Sequence, residues 1–155
     1  RFMLKVVLDY PKKEEEKAIL RANVSQAGFA KVNPVVTPNQ ILNARELVKQ
    51  VYMDDKIEQY IVDLVFATRY PEDHGLPNLK NFISFGASPR ASISMAMAAN
   101  AYAFIQGRGY VIPDDIRAIS ERILRHRIGL SYEAEAEELA SADLVKEILN
   151  TVQVP

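Results

Sequence analysis

The sequence predicts a mainly α protein: a bundle of helices preceded by one strand. Three observations carry this. Apolar residues recur at three- and four-residue intervals from Thr37 onward, which is the helical period. Pro, Gly and short polar residues stand where those helices would start and stop. Near the N-terminus, Phe2-Met3-Leu4-Lys5-Val6-Val7-Leu8 is a short, near-continuous apolar run. Such a run suits a strand covered on both faces in a parallel sheet, and no second strand of that quality follows it.

The elements follow in order. Tyr10-Pro11 ends the strand. Lys12-Lys13-Glu14-Glu15-Glu16-Lys17 opens a short helix through about Asn23, and its mixed charges read as a solvated face. Thr37-Pro38-Asn39-Gln40 is a capping box with Pro at the first helical position. Ile41, Ala44, Val48, Val51 and Tyr52 continue it as an apolar stripe. Asp54 caps the next helix, whose stripe is Ile57, Tyr60, Ile61, Leu64, Val65 and Thr68, and Pro71 stops it. Glu72 to Phe82 holds Gly75, Pro77 and two Asn and reads as a mobile loop. A long helix runs from Ser88 to about Gln106, with Ile93, Met97, Asn100, Ala101 and Phe104 as its inner face, Met95 and Met97 as core fillers, and Gly107 as its C-cap. The helix after Pro113 turns Ile116, Ile119, Ile123 and Leu124 inward. Its cap position holds Ile112, so a side-chain cap worth about 1 kcal/mol is absent, and Asp114 and Asp115 compensate through the helix dipole. From Leu130 to Glu137 the pattern alternates with period two, which suggests an extended segment. Ala and Glu are poor strand formers, so a helix stays open there. Ser141 to Thr151 is a last helix with Val145, Ile148 and Leu149 inward.

At 155 residues there is room for one ordinary domain with a self-sufficient core. Hydrophobic residues make 48% and charged residues 25%, as in a globular protein, and a net charge of −1 gives no general attraction for nucleic acid or anionic lipid. The absence of Cys excludes disulfides and thiolate metal sites and permits a reducing compartment such as the cytoplasm. No apolar run approaches the roughly 20 residues that span a bilayer, and no signal peptide opens the chain.

The most informative stretch is Gly86-Ala87-Ser88-Pro89-Arg90-Ala91. Ser88 is a good N-cap and Pro89 fits the first helical position. Arg90 then lies in the first turn, where a cation is unfavourable by roughly 0.3–1 kcal/mol. An anion in front of that turn reverses the sign, so the hexapeptide can present an arginine and free N–H groups to a phosphate. The plainer reading is a capped helix with a solvated arginine. No P-loop is present: the glycines at 28, 75, 86, 107, 109 and 129 never begin G-x-x-x-x-G-K-[ST], and Gly107-x-Gly109 is followed by Ile112 where a dinucleotide fingerprint needs Gly. No acidic strand end of the Walker-B kind is visible, and the first residue is Arg rather than Met. Both point to part of a longer protein. Arg122, Arg125, His126 and Arg127 make a basic helix end, favourable against the dipole. The alternative is a helix-turn-helix, which reads bases from its N-terminal residues, here Asp114 and Asp115. His74 and His126 lack ligand spacing for zinc, and Glu133, Glu135, Glu137 and Glu138 read as a solvated face.

Gly86–Ala91 resembles the sensor-2 motif of MoxR-type AAA+ ATPases. The rest agrees in order: Arg1-Phe2 running into Met3-Leu4-Lys5, Tyr10-Pro11 before Glu14-Glu15-Glu16, Phe66-Ala67-Thr68-Arg69, Gly107-Arg108-Gly109-Tyr110-Val111, Pro113-Asp114-Asp115-Ile116 and Leu124-Arg125-His126-Arg127. The resemblance covers nearly the whole chain, but only the C-terminal part of such a protein. It implies that residues 1–11 are the terminal strand of an α/β AAA+ core and residues 12–155 the helical lid. It implies ATP and Mg2+, both bound mainly by that core, ring-shaped oligomers (usually hexamers), and chaperone-like activation or assembly of client proteins, often with a partner carrying a von Willebrand factor A domain. Arg90 matches the sensor-2 arginine that contacts the γ-phosphate, with Ser88 setting its helix. Arg1 matches the arginine of the Arg-Phe motif, which in related helix-2-insert proteins is a finger on the neighbouring subunit's ATP; the plainer reading is a strand-starting Arg beside a surface carboxylate. Arg69 recurs in the pattern without an assignable role and reads as solvated or structural. A chain without the P-loop is expected to be inactive alone. Two alternatives stay open: a non-enzymatic helical interaction module, and a nucleic-acid-binding domain using the Arg125–Arg127 end.

Overall fold

A computed structural model of the chain describes residues 2–24 and 32–155. Its elements are helix α1 (Lys13–Val24), α2 (Pro38–Val48), α3 (Asp55–Ala67), two 3-10 turns (Pro71–His74 and Pro77–Asn81), strand β1 (Ile83–Phe85), α4 (Pro89–Ile105), α5 (Pro113–Leu124), β2 (Gly129–Leu130), α6 (Tyr132–Ala136) and α7 (Ser141–Thr151). The backbone divides into two compact units, Val6–Ala44 and residues 2–5 with Arg45–Pro155.

In the smaller unit α1 carries the charge run, and α2 starts there after the capping box, its last residues, Arg45–Val48, belonging to the larger unit. Gln40 Oε1 accepts from Thr37 N at 2.7 Å, and Thr37 Oγ1 accepts from Gln40 N at 3.3 Å, the two reciprocal bonds of that motif. Neither helix buries a residue. The expected stripe of Ile41, Ala44 and Val48 is therefore not core; only Val51, beyond the helix, is buried.

The larger unit holds the core. Asp54 caps α3 by accepting from Lys56 N at 2.9 Å, and all the expected stripe residues of α3 are buried. The predicted inner faces of α5 and α7 are also buried, Leu144 joining the latter. Helix α4 lies among them with the opposite face inward to the one predicted. Ile93 is 61% and Met97 55% exposed, while Ala91, Ser94, Met95, Ala99 and Ala103 are buried. The helix is apolar all round, so its stripe does not name a face. Packing selects the small side chains, which let neighbouring helices approach. Its C-terminus closes as a Schellman motif: Gly107 takes φ +73°, its N–H bonds Phe104 O, and Arg108 N bonds Ala103 O.

Three segments differ from expectation. Residues 2–11 form no strand. Their backbone bond to the rest of the larger unit is Lys5 N to Arg122 O at 2.8 Å, with Met3 packed on the core. A strand is defined by a paired ladder, and no partner strand stands beside it among the described residues. The span 72–82 is not a loop but two 3-10 turns that start at Pro71 and Pro77, leading into β1. Strand β1 pairs antiparallel with β2, Ile83 opposite Leu130 and Phe85 opposite Gly129. The alternating 130–137 segment is β2 followed by α6, because Ser131 caps a helix by accepting from Ala134 N at 3.2 Å. No helix among the described residues is long and apolar enough to cross a membrane.

Candidate functional site

The predicted site residues Ser88 and Arg90 lie at the start of α4. Ser88 occupies the N-cap position with extended backbone (φ −79°, ψ 168°), but its hydroxyl accepts no capping bond. The turn is closed instead by Ala91 N to Ser88 O at 2.8 Å. Pro89 brings no N–H, and the Arg90 N–H, one of the orphan donors of a helix start, has no hydrogen-bond partner among the described residues. The Arg90 side chain is exposed and makes no hydrogen bond or ion pair among the described residues. A second guanidinium, that of Arg127, feels its charge. Arg127 donates to Ser94 Oγ of α4 at 3.1 Å and to Phe2 O at 2.9 Å. Burial lowers the pKa of Arg127, and the charge of Arg90 lowers it further. The two cations repel each other, and neither has an ion-pair partner among the described residues, an arrangement that an anion would relieve.

The turn leading into this site is clamped from below. Thr68, fully buried, accepts from Ala87 N through Oγ1 at 2.9 Å and donates to Val65 O at 2.6 Å. Arg69 donates from Nε to Ala87 O at 2.6 Å, and its guanidinium lies 5.0 Å over the Phe66 ring. Gly86 is required by close approach: a Cβ there would lie 2.7 Å from Arg69 Cγ and nearer still to Thr68 O. Beside the clamp is a cleft of about 340 Å³ lined in part by Arg69, Glu72, Lys80 and Phe85. The ion pair of Lys80 with Glu72 at 2.9 Å leaves it without a net cationic character.

The other motif residues are structural. Arg108 forks onto Asp115, Nη1 donating to Oδ2 at 2.8 Å and Nη2 to Oδ1, and also donates to Tyr110 O at 3.1 Å. Asp115 Oδ2 accepts from Ile112 N at 2.9 Å, which supplies the cap that Ile112 lacks. Burial would raise the pKa of Asp115. The bonds from Arg108 and Ile112 and the charge of Arg108 outweigh it, and the carboxyl is held below its ordinary value. The basic end of α5 is not an open patch: Arg125 pairs with Glu121 at 3.3 Å, and His126 Nε2 and Arg127 both meet Phe2 O. No group of three or more His, Asp or Glu residues that could hold a metal occurs among the described residues. Of the predicted site residues, Arg90 and Ser88 stand together, and Arg1 lies outside the described residues. The clamp and Arg127 were not visible in the sequence, because their bonds go largely to backbone atoms.

The chain is similar to known proteins. The family model of the AAA lid domain matches residues 79–148. The chain is 35% identical over its whole length to the chaperone MoxR1 of Mycobacterium tuberculosis and 31% identical to protein MoxR of Paracoccus denitrificans. It spans 41% and 49% of those relatives, less than half of each. It superposes with a TM-score of 0.95 on the crystal structure of a protein of Cytophaga hutchinsonii described as a putative ATPase. The two share 39% identity, and the match covers the whole of this chain and 47% of that one.

Proposed function

Because the chain belongs to the MoxR family of AAA+ ATPases and carries its lid domain, we propose that it reports bound ATP to the rest of the protein through Arg90. The observation that carries this is the arginine in the first turn of α4, which has no hydrogen bond or ion pair among the described residues. Bound ATP, with Mg2+, supplies the phosphoanhydride that is hydrolysed. The Arg90 guanidinium and its backbone N–H fit its terminal phosphate, since both are donors at the positive end of a helix. Ser88 sets the extended entry to that turn. The Mg2+ belongs to the nucleotide-binding core, as does the P-loop. In the same reading residues 1–11 are the end of that core, and Arg1 is the finger that reaches a neighbouring subunit's ATP. The whole protein would work in the cytoplasm as a ring, a hexamer in the family's usual form. It would couple hydrolysis to the activation or assembly of client proteins, with a von Willebrand factor A domain partner among them. The lid alone would hydrolyse nothing.

The test is Arg90→Ala in the full-length ATPase, with ATP binding, turnover and thermal unfolding measured on the same preparation. Loss of the phosphate contact lowers affinity about tenfold or more, the equivalent of 1.4 kcal/mol, or lowers turnover if the contact forms only in the transition state. Unfolding stays within about 0.5 kcal/mol of wild type, since no bond in the lid uses the side chain. Unchanged binding and turnover would reduce Arg90 to a solvated residue.

A further inference from the structure

We infer that Thr68 and Arg69 are positioning residues that hold the start of α4, and so Arg90, at a fixed place relative to α3. The inference rests on the reading of Arg90 as the phosphate contact. The turn 86–88 carries no cap of its own, because the Ser88 hydroxyl makes no bond to the first turn. Its backbone is held instead by side chains 18 and 19 residues earlier in the chain. Both polar atoms of Ala87 are taken. Its N–H goes to Thr68 Oγ1 at 2.9 Å and its carbonyl receives Arg69 Nε at 2.6 Å.

Each clamping side chain is itself fixed. Thr68 is buried and its hydroxyl proton is committed to Val65 O at 2.6 Å, so the oxygen presents a lone pair to Ala87 N. Arg69 is stacked over Phe66, which leaves its Nε–H aimed at one carbonyl. Gly86 completes the fit, since Thr68 O occupies the space a side chain would need. Two hydrogen bonds to Ala87 and the close approach at Gly86 therefore tie the residues that end α3 to the turn before Pro89. A phosphate-contacting group must be placed to a fraction of an ångström, and such placement is supplied by neighbours whose own rotamers are locked. The Phe66-Ala67-Thr68-Arg69 stretch thus serves the Gly86–Ala91 stretch without touching the nucleotide.

The test uses the full-length ATPase with Thr68→Val, Thr68→Ser and Arg69→Gln, each alone and combined with Arg90→Ala. Amide exchange at Ala87 and Arg90 is measured beside ATP affinity and turnover. Thr68→Val and Arg69→Gln are expected to speed exchange at Ala87 and to weaken the ATP response about tenfold, the scale of one hydrogen bond in a charged network. Thr68→Ser, which keeps the hydroxyl, stays within about twofold. In the Arg90→Ala background neither substitution adds a further loss, because the group being positioned is gone. Losses that persist undiminished in that background overturn the inference, as does a wild-type response from Thr68→Val and Arg69→Gln while Arg90→Ala is impaired. An unimpaired Arg90→Ala instead removes the phosphate reading itself, and exchange at Ala87 then still decides whether the clamp orders the turn. Should Thr68→Val fail to fold, Arg69→Gln, at a half-buried side chain, carries the same comparison.

Discussion

Replacing Asp115 by Ala should unfold the larger unit more readily than any change at Arg90. The carboxylate accepts three bonds, two from the Arg108 guanidinium and one from the Ile112 N–H, and its side chain is 2% exposed. Its removal leaves Arg108 with a side chain only 24% exposed and no counter-charge, and leaves α5 without its cap. Breaking a buried pair from one side costs about 3–5 kcal/mol. Arg108 keeps some water and its bond to Tyr110 O, so the low end applies, about 3 kcal/mol. For a domain of this size that lowers Tm by roughly 6–12 °C. Thermal unfolding followed by circular dichroism measures it, together with Arg108→Met and the double variant. The double variant removes both charges, so its loss should fall short of the sum of the two single losses by about 1 kcal/mol or more. Strict additivity, or an Asp115→Ala protein within about 0.5 kcal/mol of wild type, would refute the claim that this pair anchors α5. The pH dependence follows the same carboxylate. Its folded pKa lies below the ordinary value of 3.8, so its stabilisation is fully present above that value and is lost as pH falls through the folded pKa. Asp115→Asn should abolish that acid-side component, which a pH series of unfolding curves reads directly.

The remaining predictions are narrower. Gly86→Ala should destabilise by about 1–3 kcal/mol and weaken the ATP response of the full-length protein, since the new Cβ meets the Thr68 backbone; wild-type unfolding would show that the turn can give way. The chain on its own should release no phosphate from ATP above buffer, because no sequence in it can cradle the phosphates; activity that survives repurification would contradict this. Arg127→Ala should speed amide exchange at Lys5 while leaving the amides of α3 protected, because it removes a holder of Phe2 and not of the core.

How much was legible beforehand depended on how each element earns its place. Helices α3, α5 and α7 are two-faced, so spacing alone identified most of their buried residues, and the starts of α3 and α5 were marked by Asp54 and Pro113. Helix α4 is apolar on every side, and only its neighbours decide that Ala91 and Ala99 turn in while Ile93 turns out. Strand β1 was hidden because a three-residue strand exists through its partner, and that partner lies beyond two helices. The site showed the same division. Arg90 and Ser88 could be found because the residue types and their order mark a helix start. Arg69 could not, because its partner is a carbonyl, which every residue has. Arg108 was noticed as part of a motif, yet its role needed the buried carboxylate seven residues on.

The carbonyl of Phe2 takes both His126 and Arg127, across sequence separations of 124 and 125 residues. A contact that closes so long a loop is the most demanding in chain entropy, although each doubling of length adds only about 0.6 kcal/mol. It rewards folding only after the helices between have been placed. In the order of assembly it belongs at the end, and in the order of opening at the beginning. Residues 2–5 can therefore detach and rejoin while the helical core stays intact. Their release withdraws one of the two partners of Arg127 and leaves its bond to Ser94 Oγ of α4 in place.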